Sequence, residues 1–137
     1  MKISQKLEYA CRAMAQLARF HDGRTLTRLE DLAQREAVSA NFLVQILNDL
    51  RRAGLVESRR GKAGGYLLGR AASLITLRDI VEAVDPALLQ SSVASEGVSG
   101  QGVRRAWDQV SGTLTAALDA ITVETLTGHP GDPMFYI

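Results

Sequence analysis

The amino-acid sequence predicts a mainly α-helical protein with one two-stranded β-hairpin in its middle and a long helix near its end. Three observations carry this. Apolar residues recur at three- and four-residue spacing in three successive segments before residue 53. The stretch RRGKAGGYLLGR, residues 59–70, then sets a glycine-rich turn between two short segments of strand character. Later, Val103, Trp107, Val110, Leu114, Leu118 and Ile121 step by four, three, four, four and three, a near-heptad stripe about five turns long.

Each element follows from its residues. Leu7, Ala10, Cys11, Met14, Leu17 and Ala18 share one face of a first helix, with Ser4 as its N-cap and His21-Asp22-Gly23 closing it. Thr27-Arg28-Leu29-Glu30 reads as a capping box. The Thr hydroxyl and the Glu carboxylate each satisfy a free amide at the start of a short second helix, which turns Leu29, Leu32 and Ala33 inward. Ser39 caps a third helix whose buried face is Leu43, Ile46, Leu47 and Leu50 and whose opposite face carries Asn41, Val44, Gln45 and Asn48. Arg51 and Arg52 stand near its end, and Gly54 terminates it. Leu55 to Arg60 and Tyr66 to Leu68 are the hairpin strands, and residues 61–65 are the turn, because glycine tolerates positive φ. Thr76 caps a fourth helix with Leu77, Ile80, Val81 and Val84 inward, closed by Pro86. Residues 89–102 are rich in Ser and Gly and read as loop. After the long helix, GHPGDP breaks helix twice and MFYI ends the chain. The organisation expected is a domain of residues 1–85, a flexible loop at 86–102, and a long helix with its tail at 103–137.

Composition narrows the class. The chain has 137 residues, 46% hydrophobic and 23% charged, as in a soluble globular protein. No stretch approaches the length of a membrane span, and the N-terminus lacks the apolar core of a signal peptide, so the expectation is a cytoplasmic protein. A single cysteine, Cys11, rules out an intrachain disulfide. The net charge is only +1, but it is unevenly spread. Residues 1–70 hold 13 Lys/Arg against 7 Asp/Glu, and residues 71–137 hold 3 against 8. The basic half is suited to an anionic partner.

Three short helices followed by a hairpin is the plan of a winged helix-turn-helix. In that plan the third helix enters the DNA major groove with its N-terminal residues on base edges, and the hairpin is the wing. This gives the charge at residues 59–70 a reason. A glycine-rich tip lets the backbone approach a phosphate or the minor-groove floor, and Arg59, Arg60 and Lys62 attract the anion there. Tyr66 and Leu68 anchor the wing to the core. Arg51, Arg52, Arg59 and Lys62 are expected mostly on phosphates, which gives affinity and salt dependence without sequence preference. The alternative is a winged-helix adaptor that binds protein and does not read DNA, since a fold does not settle a function. Enzyme chemistry finds no support: there is no nucleophile–base pair, no metal-ligand spacing, and no helix directly behind Gly61-Lys62-Ala63-Gly64-Gly65 to make a phosphate loop.

At these residues the sequence resembles the Rrf2 family of bacterial transcription regulators. The resemblance runs over essentially the whole chain. It is carried by MKISQKLEYACRAMAQLA, by SANFLVQILNDLRRAGLVESRRGKAGGYLLGR, by ITLRDIVEAVD, and by AWDQV followed by LDAITVETL. The resemblance implies that Ser39, Asn41, Val44 and Gln45 face the major groove and that Arg60 is the wing arginine reaching the minor groove. It implies that the 103–121 helix crosses a partner as a homodimerisation helix, through Val103, Trp107, Val110, Leu114, Leu118 and Ile121. Two copies would then lie on a palindromic site of double-stranded DNA and repress transcription.

The departures from the family pattern are informative. Many members hold an iron–sulfur cluster with three cysteines in the loop before the dimerisation helix. The corresponding LLQSSVASEGVSGQGVRRAW contains neither Cys nor His, so a cluster-free member with no metal is expected. Several relatives have glutamate where Val44 stands. Glutamate accepts from a cytosine amino group, whereas valine offers only apolar contact, for example to a thymine methyl. Glu8 sits where some members place a carboxylate ligand and is read here as a surface or ion-pairing residue. Cys11 is read as a buried structural thiol, with a redox sensor as the alternative. His21 and His129 are read as surface residues, and MFYI is expected to pack back on the protein. A metabolite, a partner protein and Cys11 oxidation all stand open as the controlling signal.

Overall fold

The computed structural model describes residues 1–90 and 92–128. Ser4 starts helix α1 (Gln5–Arg19), its extended backbone halting the coil and its Oγ accepting the Leu7 N–H at 3.1 Å. Leu7, Ala10, Ala13, Met14 and Leu17 are buried along one face. Helices α2 (Leu29–Glu36) and α3 (Ala40–Arg52) are joined by only three residues. Ala37 makes that turn in the left-handed conformation, with φ 56° and ψ 46°. Ser39 then caps α3 by accepting the Phe42 N–H at 3.3 Å. Leu43, Ile46, Leu47 and Leu50 of α3 are buried, in contact with α1, α2 and helix α4 (Leu77–Val84). Gly54, at φ 78°, closes α3 by letting the Leu55 N–H reach back to the Leu50 carbonyl at 3.0 Å.

Strands β1 (Val56–Arg59) and β2 (Gly65–Leu68) pair antiparallel, with Val56 opposite Leu68 and Arg59 opposite Gly65. A third segment joins them. The Thr27 N–H donates to the Tyr66 carbonyl at 2.8 Å, and the Tyr66 N–H donates back to the Thr27 carbonyl at 2.8 Å. This overturns the capping box expected at Thr27. Its backbone is committed to β2 and the residue is buried, so α2 starts from Arg28 and no side chain caps it. The capping box in the fold is at α4. The Asp79 N–H donates to Thr76 Oγ1 at 3.1 Å, and the Thr76 N–H donates to Asp79 Oδ2 at 3.0 Å.

The long helix α5 (Gly100–Asp119) begins three residues before its expected start and ends before Ile121. A helical turn at Pro86–Leu89 and the early start of α5 shorten the expected loop at both ends. After α5 the chain returns to the core that α1, α3 and α4 build. The Leu77 N–H donates to the Ile121 carbonyl at 2.9 Å, and the Val123 N–H donates to the Ile75 carbonyl at 2.8 Å. Val123, which opens α6 (Val123–Leu126), is fully buried in the same core as α1, α3 and α4. Arg78 reinforces the junction, lying 3.0 Å from Asp119 and 3.0 Å from Glu82. Its hydrogen bond to Asp119 is the largest cause of an upward shift in the guanidinium pKa. His129 and the closing MFYI lie outside the described residues.

Candidate nucleic-acid interface

The exposed side of α3 carries the residues expected to read DNA. Asn41 and Gln45 are exposed and Val44 is half-buried, and their spacing of three and four puts them on one face. Ser39 is exposed at the end of that face. Its Oγ accepts from Phe42 and still has a hydroxyl proton to donate. Helix α1 braces α3 near both ends, at Phe42 and at Asp49. The Tyr9 ring meets Phe42 edge-on, with centroids 5.6 Å apart, and Lys6 bonds Asp49 at 2.6 Å. These braces escaped the sequence reading, because a helix-surface tyrosine and lysine carry no local signal of what they touch. At the C-terminal end of α3, Arg51 and Arg52 are exposed, and Arg52 pairs with Asp49 at 3.3 Å.

The wing brings a second group of cations to the surface. Arg59 closes β1 and pairs with Glu57 at 3.3 Å. Arg60 and Lys62 are exposed in the turn, with no ion pair among the described residues. The three glycines divide in purpose. Gly61 adopts φ 103°, which an L side chain rarely takes. Gly64 and Gly65 have an internal reason instead. A Cβ on Gly64 would collide with the Arg59 carbonyl, and one on Gly65 would lie 2.6 Å from the Thr27 carbonyl. The hairpin needs both glycines to close on itself and on Thr27, whatever approaches from outside. One cation that the sequence reading passed over, Arg28, faces this same turn across a groove.

The apolar stripe of α5 splits in two. Val103, Trp107 and Val110 are 47%, 54% and 54% exposed, so this chain alone gives them no cover. Leu114 and Leu118 are half-buried and line an apolar groove of about 380 Å³ together with Ile3, Leu7, Cys11, Leu77 and Val81. Ile121 lies beyond the helix, 40% exposed, with its carbonyl bonded to Leu77. The exposed half of the stripe therefore leads directly to an apolar groove on the same chain.

Cys11 is half-buried on the wall of that groove. Burial, and secondarily the Glu8 carboxylate, push its thiol up to about 11. Such a thiol is neutral at ordinary pH and weakly nucleophilic. Glu8 itself pairs with Arg12 at 3.2 Å, as expected of a surface ion pair. His21 departs from the surface position expected of it: it is half-buried, and its Nδ1 has no hydrogen-bond partner among the described residues. Asp22 organises the turn after α1. It accepts from the Thr25 hydroxyl at 2.6 Å and from the Thr25 and Arg24 N–H groups at 2.6 and 2.8 Å, which holds its carboxyl well below the usual range.

Comparison with known proteins agrees with this geometry. The Rrf2 family, described as iron-dependent transcriptional regulators, matches residues 3–129. The transcriptional regulator CymR of Bacillus subtilis is 34% identical over 141 residues, covering 100% of both chains. The solved structure of CymR, described as the global cysteine regulator of B. subtilis, superposes with a TM-score of 0.80 over 93% of this chain and 96% of that one. The structure of T. potens IscR gives a TM-score of 0.71 at 34% identity, over 90% of this chain and 84% of that one. With helix-turn-helix, wing and long helix all in place, the chain belongs to the Rrf2 family and is a winged-helix DNA-binding transcription regulator, not an enzyme.

Proposed function

We propose that this regulator acts in the cytoplasm as a homodimeric repressor, occupying a palindromic operator without an iron–sulfur cluster. The observation that carries the reading is the division of its surface. The DNA-facing candidates, Ser39, Asn41, Val44 and Gln45 with the wing cations Arg59, Arg60 and Lys62, belong to α3 and the wing. The uncovered apolar residues Val103, Trp107 and Val110 belong to α5. Exposed apolar surface of this kind is unfavourable unless covered. A second copy supplies both what covers the stripe and a matching groove, lined by Leu114, Leu118, Leu7 and Val81. Two copies related by a two-fold axis present two recognition helices, which suits half-sites about one helical turn, or a small multiple, apart.

The family description invokes iron, and the donors in this chain do not fit a thiolate-held cluster. The chain has one cysteine, and residues 86–103 contain neither Cys nor His. Among the described residues no group of three His, Cys, Asp or Glu side chains could hold a metal ion. In this reading the regulatory signal is something other than a cluster.

Selection of bound sequences from random duplexes tests the reading, performed without oxygen and then with it. The same palindromic consensus is expected in both conditions. An asymmetric consensus, or one that appears only without oxygen, contradicts the reading. Val44→Ala is expected to change the selected bases more than the affinity, whereas Lys62→Ala weakens all sequences alike, by roughly fivefold. An unchanged consensus for Val44→Ala would show that α3 does not sit in the groove as proposed. Trp107→Ala is expected to raise the dimer dissociation constant by at least about 30-fold in sedimentation experiments, as loss of a buried interface tryptophan does; an unaltered constant places the interface elsewhere. At pH 8 Cys11 is expected to react with a disulfide reagent on the order of 100-fold more slowly in the native protein than in denaturant, because its folded-state pKa is the higher one. Equal rates would make it a reactive thiol.

A further inference from the structure

The groove between the wing and the start of α2 has about 350 Å³ of space, and three arginines line it: Arg28 from one side, Arg59 and Arg60 from the other. Ser58 and Tyr66 add polar edges, and Gly64 and Gly65 narrow the floor. The groove is held in shape by the paired bonds between Thr27 and Tyr66, which join the residue before Arg28 to β2. Arg28 is 64% exposed at its side chain, and its one ion pair, to Glu30, is long at 3.8 Å. Such an exposed, poorly aligned pair holds the arginine weakly. Arg28 also occupies the position before α2 where a serine or aspartate would cap the helix, and it makes no cap. In a helix-turn-helix the first of the two helices crosses the DNA backbone while the second enters the major groove. The groove therefore opens where a backbone strand passes between the recognition helix and the wing.

We infer that this groove seats one DNA backbone phosphate per protomer and that Arg28 is a phosphate-holding residue, a part of the interface distinct from the base-facing side of α3. The guanidinium donates to the phosphate oxygens from the α2 side while Arg59 closes from the wing, and Arg60, on the groove's rim, stays directed to the minor groove. The contact fixes the depth and tilt of the recognition helix without carrying sequence information. Glu30 opposes it, because its carboxylate lines the same groove. On seating the phosphate Arg28 exchanges a weak carboxylate partner for a strong phosphate one. The inference rests on the DNA-binding reading above.

The test is fluorescence anisotropy of the full chain with two duplexes of equal length, the selected operator and a scrambled sequence, over a series of KCl concentrations. Arg28→Gln is expected to weaken both duplexes by the same factor, about five- to tenfold. It should also lower the slope of log affinity against log salt by about 0.9 per protomer. Arg28→Lys keeps the charge and should retain most of that slope, which a purely structural role of the arginine would not predict. Glu30→Gln should strengthen both duplexes. If Arg28→Gln leaves affinity and slope unchanged while Lys62→Ala weakens both, the groove is empty in the complex and the inference fails with the DNA reading intact. If Arg28→Gln weakens only the operator, Arg28 touches a base and the inference also fails. If the unaltered chain binds neither duplex, the DNA reading itself falls and takes this inference with it.

Discussion

Two backbone hydrogen bonds between Thr27 and Tyr66 decide where the wing sits. A two-stranded hairpin of four-residue strands is marginal by itself, with too little apolar face to hold its position. The exchange with Thr27 adds a third strand-like partner and ties β2 to the residue that leads into α2. Much else follows from it. Gly65 has to lack a side chain because the Thr27 carbonyl occupies the space. Thr27 cannot cap α2, and the helix forgoes a contact that contributes about 1 kcal/mol elsewhere. Val56, Leu67 and Leu68, at the base of the wing, are then buried. The outcome is that α2, α3 and the wing behave as one surface, with the cations on the wing set at a fixed offset from Asn41, Val44 and Gln45. Preorganisation of this kind lowers the ordering cost of binding.

A second junction sets the long helix against that surface. Ile75 and Leu77 bond to Val123 and Ile121 through the backbone, and Arg78 joins α4 to Asp119. The end of α5 is thereby fastened to the core, while its first half projects with Val103, Trp107 and Val110 uncovered. In the proposed dimer this fastening matters more than the stripe itself. The stripe supplies association, and the fastening converts the crossing of two helices into a set distance between two recognition helices. A loose junction would allow dimers but would not select half-site spacing. Cys11 and the apolar groove lie at this junction, with the thiol kept neutral by burial.

Most of the fold was legible in the sequence because local signals and burial agree. Ser4, Ser39 and Thr76 cap the helices assigned to them, and the buried residues of α3 are the four that its periodicity selects. Gly54 ends α3 through its positive φ, as its position suggests. The errors come from contacts between residues distant in sequence. Thr27 satisfies every local requirement of a capping box, yet a partner 39 residues away claims its backbone. Gly64 and Gly65 look like a device for approaching DNA, but they answer to the Arg59 and Thr27 carbonyls. Ile121 continues the stripe in sequence and leaves the helix in space, because the chain turns there to pair with residues 75–77. For the proposed interface, the charge run at 59–62 and the exposure of the outward face of α3 were readable. Arg28 was not, since a single arginine at a helix start has no signal until the wing is seen beside it.

The Thr27–Tyr66 exchange makes the wing part of the domain before any DNA arrives. Native-state hydrogen exchange of the free protein measures this directly, amide by amide. The Thr27 and Tyr66 amides are expected to be protected to nearly the same degree as those of Leu47 and Leu50 in α3, and to exchange only when the core opens. Lys62, at the exposed tip, should exchange quickly. If Thr27 and Tyr66 exchange as fast as Lys62 while α3 stays protected, the wing moves independently, and the fixed surface described here does not exist in the unbound protein.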